Sequence, residues 1–143
     1  MQHCFTYGSL MCEDIMSAVT GARSRFVAAS LDGYRRQPVR GQAYPGMVPA
    51  TEACVPGVLY LDLPASAWLR LDRFEGEEYE RRQVVVRLQD GRTETAWTYV
   101  FRPGYAARLV DGEWEFERFL RTGKARFTAQ YVDSDALEGD GPA

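Results

Sequence analysis

Two stretches of this chain combine residue types and spacing suited to chemistry. One is Leu71-Asp72-Arg73-Phe74-Glu75-Gly76, with a carboxylate at the end of an expected short helix. The other is Tyr7-Gly8-Ser9-Leu10, a strand running into a glycine turn. In a helix from Ala65, Trp68, Leu71 and Glu75 fall at i, i+3 and i+7, which is one face. Trp68 and Leu71 should turn inward and carry Glu75 with them, while Arg70 and Arg73 point elsewhere. Burial disfavours an ionised carboxyl, and so does the negative end of a helix; both raise its pKa toward the range of a general acid or base. On the residues alone, Glu75 reads equally as a surface residue of the acidic run Glu75-Gly76-Glu77-Glu78.

A strand that ends in glycine and feeds a helix leaves backbone N–H groups without partners, and these can hold a carboxylate or a developing oxyanion. No Gly-Lys-Ser/Thr follows Gly8, so the turn is not a phosphate-binding P-loop. An ordinary strand-to-helix turn satisfies the same pattern. Cys12, at the expected helix start, could have a lowered pKa and act as a nucleophile. The chain's single histidine, His3, adjoins Cys4 in a strand, so the two point to opposite faces and form no dyad. Cys12 therefore reads better as a small packing residue. One histidine and three scattered cysteines exclude a conventional zinc site, and Glu77, Glu78 and Glu80 read as a solvated charge run rather than a metal site. Tyr79 and Tyr99 either reach a pocket or are buried phenols with satisfied hydroxyls; Arg81 follows Tyr79 at strand spacing.

The elements that must position these groups are short. Cys4 to Tyr7 is β-prone, and Glu13 to Val19 reads as a helix ending before Gly21. Arg25 to Leu31 is a strand stopped by Asp32-Gly33, with Tyr34 to Val39 returning antiparallel to it. Gly41 to Pro56 carries Pro45, Pro49 and Pro56 and reads mostly as ordered loop. Gly57 to Leu63 is almost continuously apolar, as a buried strand would be, and Ala65 to Phe74 follows Pro64 as a helix. Arg82 to Leu88 and Thr93 to Phe101 flank the hairpin turn Gln89-Asp90-Gly91-Arg92. Asp111 caps an expected helix through Arg121, with Phe116, Phe119 and Leu120 on one face and Gly123 at its end; Lys124 to Tyr131 adds a helical piece. Residues 1–131 form one domain, and 132–143 an acidic, frayed tail. The pattern is α+β: a small, mostly antiparallel β-barrel with a few short peripheral helices.

Composition narrows the partners. The chain has 143 residues, enough for a core without staples, and 45% hydrophobic against 26% charged content is that of a globular domain. A net charge of −3 argues against nucleic acid and anionic membranes. No apolar run approaches the roughly 20 residues of a membrane span, and no signal peptide opens the chain. Free thiols place it in the cytoplasm. The oligomeric state is left open.

The segments FTYGSLM, YPGMVPA, VPGVLYLDL, LDRFEGEEYERR and AWTYVF, in that order from Phe5 to Phe101, resemble the γ-glutamylcyclotransferase-like proteins. The resemblance implies that family's small barrel. It puts the acid of the LD-x-[FY]-E-G segment on Glu75 and the substrate loop on Tyr7, Gly8, Ser9, Leu10, Met11 and Cys12. It further implies release of 5-oxoproline and a free amine from a small-molecule γ-glutamyl substrate, with no cofactor. Glu77 and Glu78 beside the site hint at a cationic leaving amine. A non-catalytic member that binds a metabolite or a protein, and a Cys12 thiol enzyme, are the other readings.

Overall fold

A computed structural model describes residues 2–132; the acidic tail from Asp133 onward lies outside the described residues. Five strands close a barrel in the order β1-β3-β2-β4-β5. They are β1 (Gln2–Thr6), β2 (Phe26–Pro38), β3 (Pro45–Leu63), β4 (Tyr79–Leu88) and β5 (Thr93–Phe101). Every neighbouring pair is antiparallel except β1 and β5, which close the barrel in parallel at Cys4 and Trp97. Mostly antiparallel and closed is what the sequence pattern implies.

Helices α1 (Glu13–Thr20) and α2 (Ala65–Glu75) lie outside the barrel and contact each other. Acidic Glu13 and Asp14 occupy the first turn of α1, where the helix dipole favours them, and left-handed Gly21 ends it by donating to the Ser17 carbonyl at 2.8 Å. In α2 the inward face holds Ala67, Trp68, Leu71, Phe74 and Glu75, as the phase of the sequence requires. Gly76, at φ 78°, stops the helix one residue after Glu75.

Three expectations are corrected. The Asp32-Gly33 pair does not reverse the chain: β2 runs unbroken from Phe26 to Pro38. Gly33, at φ 85°, instead lies where the register slips: the β3 partner jumps from Cys54 to Pro49, so the extra residues bulge from β3, where Glu52 has φ 67°. Nor is Gly41 to Pro56 mostly loop, since β3 begins at Pro45 and pairs with β2 along this arm. Its prolines are tolerated because β1 pairs β3 only at Val58–Leu63, leaving the earlier part an edge strand that can lack an N–H. Finally, no helix starts at Asp111. Gly112, at φ 106°, interrupts the segment, and helix α3 begins at Phe116 (Phe116–Arg118).

After α3 the chain passes through a π turn (Phe119–Gly123) into α4 (Lys124–Tyr131), so Gly123 does not end the helical run. The wider π turn leaves Leu120 exposed while Phe119 stays buried. This C-terminal run is anchored by aromatic contacts. Phe127 meets Phe74 of α2 edge-on at 6.1 Å between centroids, and Lys124 pairs with Asp14 of α1 at 3.0 Å.

Candidate active site

The Tyr7–Cys12 loop is held by the barrel on one side and by α1 on the other. Gly8 opens a single 3₁₀ turn (Ser9–Met11), and Cys12 caps α1. The Met11 and Cys12 N–H groups are spent inside the turn, on the carbonyls of Gly8 and Ser9 at 3.0 and 3.1 Å. From behind, Tyr60 braces the turn by donating to the Leu10 carbonyl at 2.7 Å.

Glu75 is 2% exposed, and neither carboxylate oxygen has a hydrogen-bond partner among the described residues. Burial, and then the neighbouring Asp72 carboxylate, push its pKa well above the usual carboxylate range. An ionisable group left wholly unpaired inside a protein is expensive, and this one marks the site.

Three of the sequence-derived residues lie near it. Glu75 influences the ionisation of Tyr7, Tyr79 and Tyr99, so all three phenols lie within its electrostatic reach. Each phenol is oriented by a donated bond: Tyr7 to the Tyr99 carbonyl at 2.6 Å, Tyr79 to the Pro45 carbonyl at 2.7 Å, and Tyr99 to Asp72 Oδ1 at 2.7 Å. Tyr79 and Tyr99 are therefore both satisfied phenols and neighbours of the acid. Burial raises all three above the ordinary tyrosine value and keeps them neutral. Arg81 does not enter with Tyr79. Its Nε lies 3.3 Å from Asp72 Oδ1, and its guanidinium stacks between Trp68 and Trp97 at 5.0 and 5.2 Å.

Cys12 is a buried packing residue, as the sequence favours: burial pushes its thiol up, against the lowering by Lys124, so the helix start has not activated it. One expectation fails here. Glu78 is not a free solvated charge: it accepts from Arg108 at 2.6 Å and from Tyr44 at 3.3 Å. Glu80 pairs with Arg82 at 3.1 Å. No group of residues suited to hold a metal ion occurs among the described residues.

Sequence reasoning missed two residues. Asp72, one turn before Glu75, is the second carboxylate of the site, and its i−3 spacing was the available signal. Arg36 donates from Nη1 to the Tyr7 carbonyl at 2.7 Å, and no local pattern in β2 pointed to that contact.

Glu75 makes stability depend on pH. Its folded pKa lies above the ordinary 4.5, so between that pH and the folded value the native protein keeps a proton that the unfolded chain has lost. The associated stability is complete below about pH 4.5 and is lost as pH rises through the folded pKa, at up to about 1.4 kcal/mol per pH unit. Urea denaturation across pH 4–9 should show this fall in the wild type relative to Glu75→Gln. Parallel curves for the two would contradict the buried, unpaired acid.

Glu75 is the one buried carboxylate among the described residues of this closed five-stranded barrel. The match to known proteins is specific: residues 4–116 fit the family described as "Gamma-glutamyl cyclotransferase, AIG2-like", and the chain belongs to that family. It is 32% identical to AIG2-like protein D of Arabidopsis thaliana over 93% of this chain and 90% of that protein. AIG2-like protein A of the same plant is 29% identical over 89% and 77%. A solution structure of an Arabidopsis thaliana protein superposes with a TM-score of 0.68 at 28% identity, covering 91% of this chain and 87% of that one. The fold is also shared with a solved gamma-glutamyl cyclotransferase, at TM-score 0.63 and 20% identity over 73% of each chain. No helix among the described residues is long and apolar enough to cross a membrane.

Proposed function

We propose that this protein is a γ-glutamylcyclotransferase that converts a γ-glutamyl amide into 5-oxoproline and a free amine. The observation that carries the reading is the fully buried Glu75 carboxylate, unpaired among the described residues and within electrostatic reach of Tyr7 at the head of the loop. A substrate α-ammonium entering beside Glu75 supplies the missing partner and draws its pKa back down. Glu75 then takes a proton from that ammonium, and the freed amine nitrogen attacks the γ-carbonyl carbon of the same molecule. Backbone N–H groups of the Tyr7–Cys12 loop stabilise the oxygen that becomes negative. The attack closes the five-membered ring and leaves two hydrogens on the ring nitrogen. As the tetrahedral intermediate collapses, the bond to the departing nitrogen breaks and that nitrogen receives the proton held by Glu75. The ring nitrogen then gives its second proton to the emptied Glu75 carboxylate, which passes it to the free amine. Because nucleophile and electrophile belong to one substrate, orientation supplies much of the rate, and this route involves no cofactor, metal or catalytic triad. The three free thiols fit a reducing, cytoplasmic setting.

The closed site favours a second reading, binding without turnover, because Glu75 at 2% exposure is sealed from solvent. One experiment separates the two: 5-oxoproline release from γ-glutamyl amino acids, γ-glutamyl-ε-lysine, γ-glutamyl polyamines and glutathione. Release that depends on Glu75 establishes the enzyme. Binding of these compounds with no release from any of them establishes the second reading.

A further inference from the structure

Asp72 and Arg81 form an ion pair that the proposed reaction does not use. Both line a cleft of about 540 Å³ outside the barrel, together with Trp68, Leu69 and Trp97. Trp68 of α2 and Trp97 of β5 flank the Arg81 guanidinium at 5.0 and 5.2 Å, so two elements fix its place. Its Nε lies 3.3 Å from Asp72 Oδ1, the one anion it meets among the described residues. The same oxygen accepts from the Tyr99 hydroxyl at 2.7 Å. Tyr99 in turn takes the Tyr7 hydroxyl on its backbone carbonyl at 2.6 Å. Asp72 is thus clamped at one oxygen by β4 and β5, and one of the clamping residues also holds the head of the Tyr7–Cys12 loop.

Asp72 stands three residues before Glu75 on α2, the spacing at which helix side chains are neighbours. A second carboxylate there disfavours ionisation of the first, and a cation beside the second weakens that effect. The buried thiol of Cys4 on β1 feels both charges with opposite sign. Asp72 raises it and Arg81 lowers it, so both fields reach the barrel interior. The other titratable groups around Glu75 are neutral: burial pushes up Cys4, Tyr7 beyond β1, Tyr79 on β4 and Tyr99 on β5. On β2, Arg36 donates to the Tyr7 carbonyl at 2.7 Å, and Glu78 beyond α2 is spent on Arg108 at 2.6 Å.

We propose that Asp72 and Arg81 are positioning residues for the reaction: the pair sets how firmly Glu75 holds its proton, Asp72 strengthening the grip and Arg81 limiting it. A base with a firmer grip takes a proton from an ammonium more readily, but one that never releases it cannot supply the leaving nitrogen. This rests on the cyclotransferase reading for the role of Glu75, and the test keeps the two apart.

The direct measurement is carbon-13 NMR of the full chain labelled at glutamate Cδ, from pH 4 to 10, with Glu75→Gln assigning the resonance. Asp72→Asn keeps an acceptor for Tyr99 and removes the charge, so the Glu75 midpoint should fall by at least about half a pH unit. Arg81→Gln leaves Asp72 uncompensated, so the midpoint should rise by a similar amount. Arg81→Lys restores the charge and should recover at least about half of that rise. Where ionisation is incomplete at pH 10, the fraction ionised there is compared instead. A merely structural role would not move the two neutral variants in opposite directions. A folded variant whose midpoint stays put or moves the wrong way overturns the proposal, as does a Glu75 that ionises in none of them. Either variant decides alone if the other does not fold.

5-Oxoproline release from γ-glutamyl amino acids, γ-glutamyl-ε-lysine, γ-glutamyl polyamines and glutathione is measured separately. The rising limb of kcat/KM should move in the same order as the carbon-13 midpoints, and a limb that ignores both variants overturns the role in the reaction. A wild type that releases none removes the cyclotransferase reading, while the carbon-13 shifts still uphold the pair's hold on Glu75.

Discussion

Glu75→Gln should lower 5-oxoproline release by a factor on the order of 10³ while the protein stays folded. The substitution keeps size and shape but cannot accept the ammonium proton or return one to the leaving nitrogen. Burial raises the pKa of this carboxyl and neither of its oxygens has a partner among the described residues, so no charged partner is orphaned by the change. Loss of stability therefore cannot account for the loss of rate. The pH dependence gives an independent reading of the same role. Base catalysis requires the ionised carboxylate, so wild-type kcat/KM should climb with pH through the apparent Glu75 pKa, which lies above the ordinary 4.5. Residual activity of the Gln variant should lack that limb. A variant within about tenfold of wild type would remove Glu75 from proton transfer, leaving electrostatics and orientation to carry the reaction.

Gly57→Ala should cost about 3 kcal/mol or more, or prevent folding outright. A Cβ at Gly57 would sit 2.1 Å from the backbone oxygen of Thr6 and 2.7 Å from Phe5 Cζ. A flexible side chain could yield, but the oxygen belongs to β1, which is held between β3 and β5 and cannot retreat without opening the barrel. Native stability in small domains is about 5–15 kcal/mol, so this one methyl group would remove a large share of it. Because Thr6 immediately precedes Tyr7, the displacement would also reach the loop. Gly104→Ala is the matched control: it has a negative φ and open space around it, and should fall within about 0.5 kcal/mol of wild type. Urea denaturation of both variants measures the contrast. A Gly57→Ala loss under about 1 kcal/mol would mean that the strands do not cross so closely.

What was legible in the sequence was legible because it is local. The phase of Trp68, Leu71 and Glu75 on one helix needs only the 3.6-residue period, and the structure buries all three. The β4–β5 hairpin announces itself through Asp90-Gly91 at its turn. The errors came where a local signal has two outcomes. Asp32-Gly33 suits a hairpin turn and a bulge equally, and the partner strand decides between them. The prolines of Pro45–Pro56 mark loops unless a strand has lost a neighbour, which depends on where β1 stops pairing. Arg36 was invisible for the same reason. Its meaning lies in the Tyr7 carbonyl, which packing across the barrel brings to it and no spacing along β2 encodes. For Cys12 the sequence favoured packing over reactivity, and desolvation decides it: a helix start lowers a thiol pKa only where solvent or cations outweigh burial, and here they do not.

The single parallel seam between β1 and β5 sets an order of events during synthesis. The first of the five barrel strands, β1, finds its antiparallel partner in β3 but its other neighbour only in β5, which ends at Phe101. Until then Cys4 and Trp97 cannot meet, Thr98 cannot donate to the Phe5 carbonyl, and the Tyr99 carbonyl that receives the Tyr7 hydroxyl does not yet exist. The Tyr7–Cys12 loop thus precedes β5 in the chain but takes its shape only after β5 is made. A nascent chain halted before the fifth strand would carry all six loop residues and Glu75, yet hold no assembled site.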